Sequence, residues 1–246
     1  MQLDAFALTF TGRRDTNQDA VCARPELGLF VVADGMGGYV GGEVASRLAV
    51  DTVVELVARS ASDDDVTWPY PLDPRLDLTE NEVAVAARFA SERIVSQRRG
   101  RLAQMGSTIA VLRVEGVRAV IAHVGDSRIY RRRDSLIEQL TVDHSLYAQL
   151  AASGAELPPL DDWPYRHVVT RALGTDQADP DVRTIALAAS DVYLLCSDGL
   201  SEFITRERMA LLLGLPPEQA CRELIAEAYQ QGSRDNISAV VVKVRP

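Results

Sequence analysis

Residues 30–42 read FVVADGMGGYVGG. An apolar run with the β-branching of a buried strand stops at Asp34, and five of the next eight residues are glycine. Glycine at that density costs backbone entropy that an ordinary turn does not need. The stretch therefore marks a place where bare backbone comes close to Asp34. Behind it, apolar residues at three- and four-residue steps predict a helix over residues 42–60.

Working outward, six further runs have strand character: residues 3–12, 107–114, 118–125, 127–133, 191–198 and 237–244, each rich in Val, Ile, Ala or Tyr and bounded by Gly or Asp. Helical periodicity is expected over residues 79–101, 144–153, 206–213 and 217–231. Runs of strands joined by short turns, such as Glu115-Gly116, interrupted by paired helices, do not follow the βαβ rhythm of a parallel sheet. An α+β fold of antiparallel sheets layered with helices is expected. Residues 61–78 and 156–166, with WPYPLDP and PPLDDWPY, read as surface loops.

The chain has 246 residues, 47% of them apolar, with no Ser/Gly/Pro-rich linker, which predicts one domain over 1–246. No apolar run reaches the length of a membrane span, and MQLDAFALTF lacks the pattern of a secretory signal. Cys22, Cys196 and Cys221 are odd in number and widely spaced, so no disulfide framework or zinc ribbon is predicted. A soluble, cytoplasmic monomer is expected. The net charge of −9 argues against nucleic-acid and anionic-membrane partners. Lys243 is the only lysine, which excludes a P-loop.

Against that background four aspartates share one context. Asp19 follows the first strand in RRDTNQD, Asp34 ends FVVAD, Asp198 ends VYLLCSD, and Asp235 in SRDN precedes the last strand. One aspartate at a strand end is ordinarily a turn former or helix cap. Repetition at strand edges, with three of the four beside Gly or Asn, changes that reading. Converging carboxylates repel unless a cation lies among them, and hard oxygen donors select Mg²⁺ or Mn²⁺ over zinc. His123, His144 and His167 are too scattered along the chain to alter this choice.

The segments RRDTNQDA, VVADGMGGYVGGEVAS, GSTIAVLRV, AHVGDSRIYRRR, LTVDHSL, VVTRALG, VYLLCSDGLSEFI and SRDNISAVVVKV stand in the order and spacing of the metal-dependent protein phosphatases, the type 2C serine/threonine family (PPM), in its compact bacterial form. The resemblance runs from about Thr9 to Val244. It implies a layered α-β-β-α sandwich of two antiparallel sheets with a site for two Mn²⁺ or Mg²⁺ ions at one end. It also implies hydrolysis of phosphoserine and phosphothreonine by a metal-bridging hydroxide, with phosphorylated proteins as partners, a cognate kinase among them. Cysteine-dependent and calcineurin-type phosphatases are excluded, since their nucleophile and histidine motifs are absent. The alternative is a phosphatase-fold protein acting as a dedicated partner switch or binding module.

By the same resemblance, Asp34 is the ligand shared by both metals, with the Gly35 carbonyl completing one of them, and Asp198 and Asp235 serve the other. Asp19 holds water near the metals. Arg14 clamps the substrate phosphate, a task suited to a planar guanidinium. Asp126 of GDSR matches the position that binds a third, weaker metal; its alternative reading is a hairpin turn. Animal relatives have histidine two residues after the metal aspartate, where this chain has Met36, so the leaving-group proton comes from metal-bound water or another residue. His144 in VDHS is the one histidine in a family motif, and its alternative reading is a locally bonded helix start beside Asp143 and Ser145 as caps. Residues 143–174 match the family's variable flap. Within it, Trp163 and Tyr165 are expected to cover a small core; the alternative is contact with substrate.

Overall fold

The computed structural model describes residues 1–63 and 66–245. Its strands are β1 (Gln2–Phe10), β2 (Asp19–Arg24), β3 (Leu29–Met36), β4 (Gly106–Ser107), β5 (Ile109–Glu115), β6 (Arg118–Val124), β7 (Arg128–Arg133), β8 (Leu136–Gln139), β9 (Asp181–Ala186), β10 (Val192–Cys196) and β11 (Ile237–Arg245). The helices are α1 (Tyr39–Ser62), α2 (Leu78–Gln97), α3 (Leu146–Ala152), α4 (Asp198–Ser201), α5 (Arg206–Leu212) and α6 (Pro217–Gln230). One sheet runs β1-β11-β10-β7-β8 and the other β2-β3-β5-β6-β9, with β4 paired to β3. Every named pairing is antiparallel.

The layering follows from strands that are apolar on both faces. In β3, Phe30 and Val32 enter the core between the sheets, while Leu29, Val31 and Ala33 meet α1 and α2. In β11, Val240, Val242 and Val244 point to the inter-sheet core, whereas Ile237, Ala239 and Val241 pack beneath α6. The continuous apolar runs in the sequence thus report burial on two sides at once. Three hydrophobic clusters result, one between the sheets and one under each helical layer.

Three local details refine the sequence expectations. Helix α2 starts at Leu78 behind a capping box, in which the Asp77 side chain accepts from Glu80 N–H while the Glu80 side chain accepts from Asp77 N–H. The helix ends at Gln97, four residues before the expected Arg101, and the chain continues through a 3₁₀ turn at Gly100–Leu102. The loop expected over residues 61–78 includes Asp64 and Asp65, which lie outside the described residues. Its Ala61 and Ser62 complete α1, and Trp68 and Tyr70 pack against the α1–α2 core.

Antiparallel register carries the site residues to one end of the sandwich. Asp19, at the start of β2, is the register partner of Asp34 near the end of β3. The end of β10 at Cys196 pairs with Ala239 near the start of β11 and with Arg128 at the start of β7. Asp198 leaves β10, Asp235 enters β11, and Asp126 sits between β6 and β7 at that same end.

Candidate active site

Asp34 is fixed first through its backbone. Its N–H donates to Thr108 Oγ1 at 2.9 Å, and its carbonyl accepts from Thr108 N–H at 2.8 Å and from Ser107 Oγ at 3.0 Å. The Gly35 N–H donates to the Gln18 carbonyl at 3.0 Å. The glycines after Asp34 serve a close crossing of main chains. A Cβ on Gly35 would fall on the Gly42 carbonyl oxygen, and one on Gly42 would lie 2.7 Å from the Gly35 carbonyl. The first turn of α1 therefore packs backbone to backbone against the end of β3, with the Gly35 carbonyl held in that contact.

Asp19 is buried, and its Oδ2 accepts from Ser197 Oγ at 2.8 Å and from Ser238 Oγ at 2.6 Å. Its Oδ1 is buried with no hydrogen-bond partner among the described residues, and the same holds for Asp198 Oδ1. Asp198 stands at the start of α4, where its charge and that of Asp34 act on each other. The Asp235 carboxylate accepts from its neighbour Asn236 N–H at 2.8 Å and from Arg14 Nη2 at 2.6 Å. The Arg14 guanidinium stands at the mouth with 57% of its side chain exposed. Its pKa is raised, first by the hydrogen bond to Asp235, and Asp198 and Asp34 add to the field it feels.

Burial drives the proton affinities of this group upward, and mutual repulsion adds to it. Asp34 is pushed well above the ordinary carboxylate range by burial, then by Asp19, Asp198 and Asp126. Burial raises Asp19 to about 7, despite the serine hydroxyls. Asp126 rises to about 7 through burial and the charge of Asp198, and Asp198 rises to about 6 through burial and Asp235. Carboxylates so placed are either protonated or neutralised by a cation. Buried orphan oxygens, an all-oxygen donor set and close main-chain carbonyls fit hard divalent ions such as Mg²⁺ or Mn²⁺. Asp34, Asp198, Asp235, Asp126, Asp19 and the Gly35 carbonyl are the groups available to hold them or their water.

The structure also shows residues that sequence reasoning passed over. Ser197 and Ser238 orient Asp19, and Ser238 Oγ bonds Thr9 Oγ1 at 2.7 Å. Asn236 fastens the Arg14 loop: its Nδ2 donates to Thr11 O and Thr16 O, and its Oδ1 accepts from Gln18 N–H. Their only signal was a place within three residues of a candidate aspartate. The histidines are not scattered in space. The rings of His123 and His144 stack 4.6 Å apart and, with Asp181, bring ligand-type atoms within 4.8 Å of one another; His167 does the same with Asp198 and Glu202.

His144 stands apart from the carboxylates. Its Nδ1 accepts from Gly125 N–H at 3.1 Å, and its Nε2 lies 3.2 Å from Asp181 Oδ2. Burial lowers its pKa. Ser145 caps α3 by accepting from Ala148 N–H, whereas Asp143 does not cap; it forms a forked ion pair with Arg128 at 2.6–3.0 Å. A cavity of about 540 Å³ lies beside the cluster, with Asp126, Asp198, Arg128, Tyr147, Arg166 and Arg206 among its lining, so residues 143–174 form one wall of it. Trp163 sits edge-on between Tyr147 and Tyr165, in a small aromatic group of which Tyr165 is exposed.

Comparison with known proteins now bears on this arrangement. The family profile for protein phosphatase 2C matches residues 12–243. The chain belongs to the protein phosphatase 2C family. It is 33% identical over 256 residues to the protein phosphatase PhpP of Streptococcus pneumoniae, covering 98% of both chains. It is also 33% identical over 235 residues to the serine/threonine protein phosphatase PstP of Mycobacterium tuberculosis; that match covers 94% of this chain and 43% of PstP, so the chain spans less than half of that relative's length. A crystal structure of PstP superposes with a TM-score of 0.86 at 30% identity, covering 100% of both chains. The PstP catalytic domain in complex with two manganese ions gives 0.83 at 31% identity over 99% of each chain. The expected α-β-β-α sandwich of a 2C-family phosphatase is thus the observed fold. No described helix is long and apolar enough to cross a membrane.

Proposed function

We propose that the chain is a Mn²⁺- or Mg²⁺-dependent protein serine/threonine phosphatase that hydrolyses phosphoserine and phosphothreonine in proteins and opposes a Ser/Thr protein kinase. The observation that carries this reading is the convergence of Asp19, Asp34, Asp198 and Asp235 at one end of the sandwich, with buried unpartnered oxygens beneath the Arg14 guanidinium. Asp34, Asp198 and Asp235 would hold divalent ions there, which would supply a water-derived nucleophile at neutral pH and offset charge on the phosphoryl group.

The chain's own residues do the rest. Arg14 presents a planar fork to two phosphate oxygens; to do so it exchanges its bond to Asp235 for the incoming anion. Asp19, with Oδ2 held by two serines, turns Oδ1 toward water and keeps it oriented for in-line attack. The cavity beside residues 143–174 is the place for the polypeptide that carries the phosphoryl group. His144 does not supply the leaving-group proton in this scheme, because both its ring nitrogens are engaged away from the cluster. His167 is the imidazole beside Asp198.

The test is hydrolysis of a phosphothreonine peptide and of p-nitrophenyl phosphate by the purified chain. Turnover should need added Mn²⁺ or Mg²⁺, and Arg14→Ala should keep Mn²⁺ binding while losing about 10²-fold in kcat/KM, the scale of one charge-stabilising group. Turnover that survives thorough chelation overturns the metal-dependent reading.

A further inference from the structure

Gly125 precedes Asp126 and adopts φ of +102°, a conformation suited to glycine, with the Thr108 side chain packed where a Cβ would be. One residue grips both of its backbone polar groups. The His144 N–H donates to the Gly125 carbonyl at 3.0 Å, and His144 Nδ1 accepts from the Gly125 N–H at 3.1 Å. An acceptor Nδ1 places the ring proton on Nε2. That N–H faces Asp181 Oδ2 at 3.2 Å, and Asp181 Oδ1 accepts from Arg171 Nη1 at 2.6 Å. The imidazole is held flat by stacking on His123, whose Nε2 donates to the Val142 carbonyl at 2.8 Å.

This chain of bonds joins three separate parts of the fold. Gly125 belongs to the turn that delivers Asp126; His144 opens the flap segment; Arg171 closes it, and Thr170 N–H donates to the His144 carbonyl at 2.7 Å. His144 is 7% exposed, and among the described residues its ring bonds Gly125 and faces Asp181, with no hydrogen bond to Asp34 or Asp235. Arg171, 3.3 Å from Nε2, places a fixed cation there and disfavours a second one, so the His123–His144–Asp181 group is a hydrogen-bonded relay and not a metal site.

We infer that His144 is a positioning residue: it sets the backbone at Gly125, thereby aims the Asp126 carboxylate toward a weakly held third cation, and ties that aim to the flap through Asp181 and Arg171. The cation-binding consequence rests on the phosphatase reading, whereas the aiming of Gly125 does not.

Two substitutions separate the halves of the relay. In His144→Asn the amide oxygen takes the place of Nδ1 and keeps the acceptor for Gly125 N–H while losing Asp181. In His144→Gln the longer amide reaches toward Asp181 and leaves Gly125 N–H without its acceptor. Amide hydrogen exchange followed by NMR should show Gly125 protected in wild type and His144→Asn, and exchanging at least about tenfold faster in His144→Gln. A Mn²⁺ isotherm should show the weakest site unchanged in His144→Asn and weakened about 10- to 100-fold in His144→Gln, the usual effect of losing an outer partner of a ligand, with tighter sites unaffected. Equal Mn²⁺ losses in both variants, or a protected Gly125 in His144→Gln, overturns the proposal. Wild-type protein offers an independent check: ¹⁵N NMR of the His144 ring should report an unprotonated Nδ1 and a protonated Nε2, and the opposite tautomer rejects the relay. Should Gly125 protection follow the prediction while no weak Mn²⁺ site exists in wild type, the aiming stands, the cation role assigned to it falls, and the proposal as stated is overturned at that step.

Discussion

Asp19, Asp126 and Asp198 each bind a proton more tightly in the folded protein than in the unfolded chain, because burial and neighbouring carboxylates oppose their ionisation. Their protonation therefore stabilises the metal-free fold fully below the ordinary carboxylate range, near pH 4, and that contribution is lost as pH rises through about 6 to 7. Chelator-treated protein should consequently melt at a higher temperature at pH 5 than at pH 8, a trend that saturating Mn²⁺ should abolish. At pH 8, Mn²⁺ at a hundredfold its Kd adds about 2.7 kcal/mol per site, roughly 5–11 °C in Tm for a chain of this size. Asp198→Asn should melt higher than wild type without metal and lose most of the Mn²⁺ shift; a metal-free wild type that is most stable at pH 8 contradicts the assigned repulsion. At this scale the aspartates were legible because four of them stand at strand edges, three of them beside Gly or Asn. Ser197, Ser238 and Asn236 were not, since a serine or asparagine near an aspartate in sequence is ordinary until the fold brings residues 19 and 238 together. The relation of His123 to His144 was hidden for the same reason: stacking depends on the pairing of distant segments.

The strands that the sequence did not announce have a common position. β2 and β9 are the two edges of one sheet and β8 is an edge of the other. DAVCAR, LIEQ and DVRTIA are half exposed, so they lack the apolar density that marked the central strands. β4, only two residues long, is below any periodic signal. Helix α1 begins at Tyr39, three residues before the expected Gly42, and its first turn takes in Gly41 and Gly42, the latter packed against the Gly35 backbone. That packing gives a sharp prediction. Gly35→Ala inserts a methyl into the Gly42 carbonyl and should destabilise the protein by about 3 kcal/mol, measured by urea unfolding, with loss of Mn²⁺ binding. A substitution at exposed Gly38, where a Cβ meets nothing within 4 Å, loses only its backbone preference. Equal effects at the two positions would show that the close crossing is unimportant.

Across the whole molecule, the fold class was readable because the central strands are apolar on both faces and so require covering layers on each side. The site was readable to the extent that strand ends share one end of a sandwich. The packed interior also fixes the chemistry of the thiols. Cys196 and Cys221 are buried, and burial pushes both up to about 12; Cys22 is partly exposed, and burial raises it too. A disulfide reagent at pH 8 should modify at most Cys22, slowly, in the native protein and all three thiols after unfolding. Rapid native reaction of two or more would mean that the helical layers open far more readily than their packing implies.

The flap leaves and rejoins the fold at almost the same place. Leu146 N–H donates to the Val168 carbonyl and Thr170 N–H to the His144 carbonyl, so Ser145 and Val169 pair as a short stem. Beyond it, Leu173 is paired with Ser107, whose hydroxyl reaches the Asp34 carbonyl. A stem of that kind works as a socket. What is plugged in between residues 147 and 165 can lengthen, shorten or change its chemistry while the stem keeps its place on the fold. The flap is thereby hung from the sandwich on two short bridges, Ser145 with Val169 and Leu173 with Ser107.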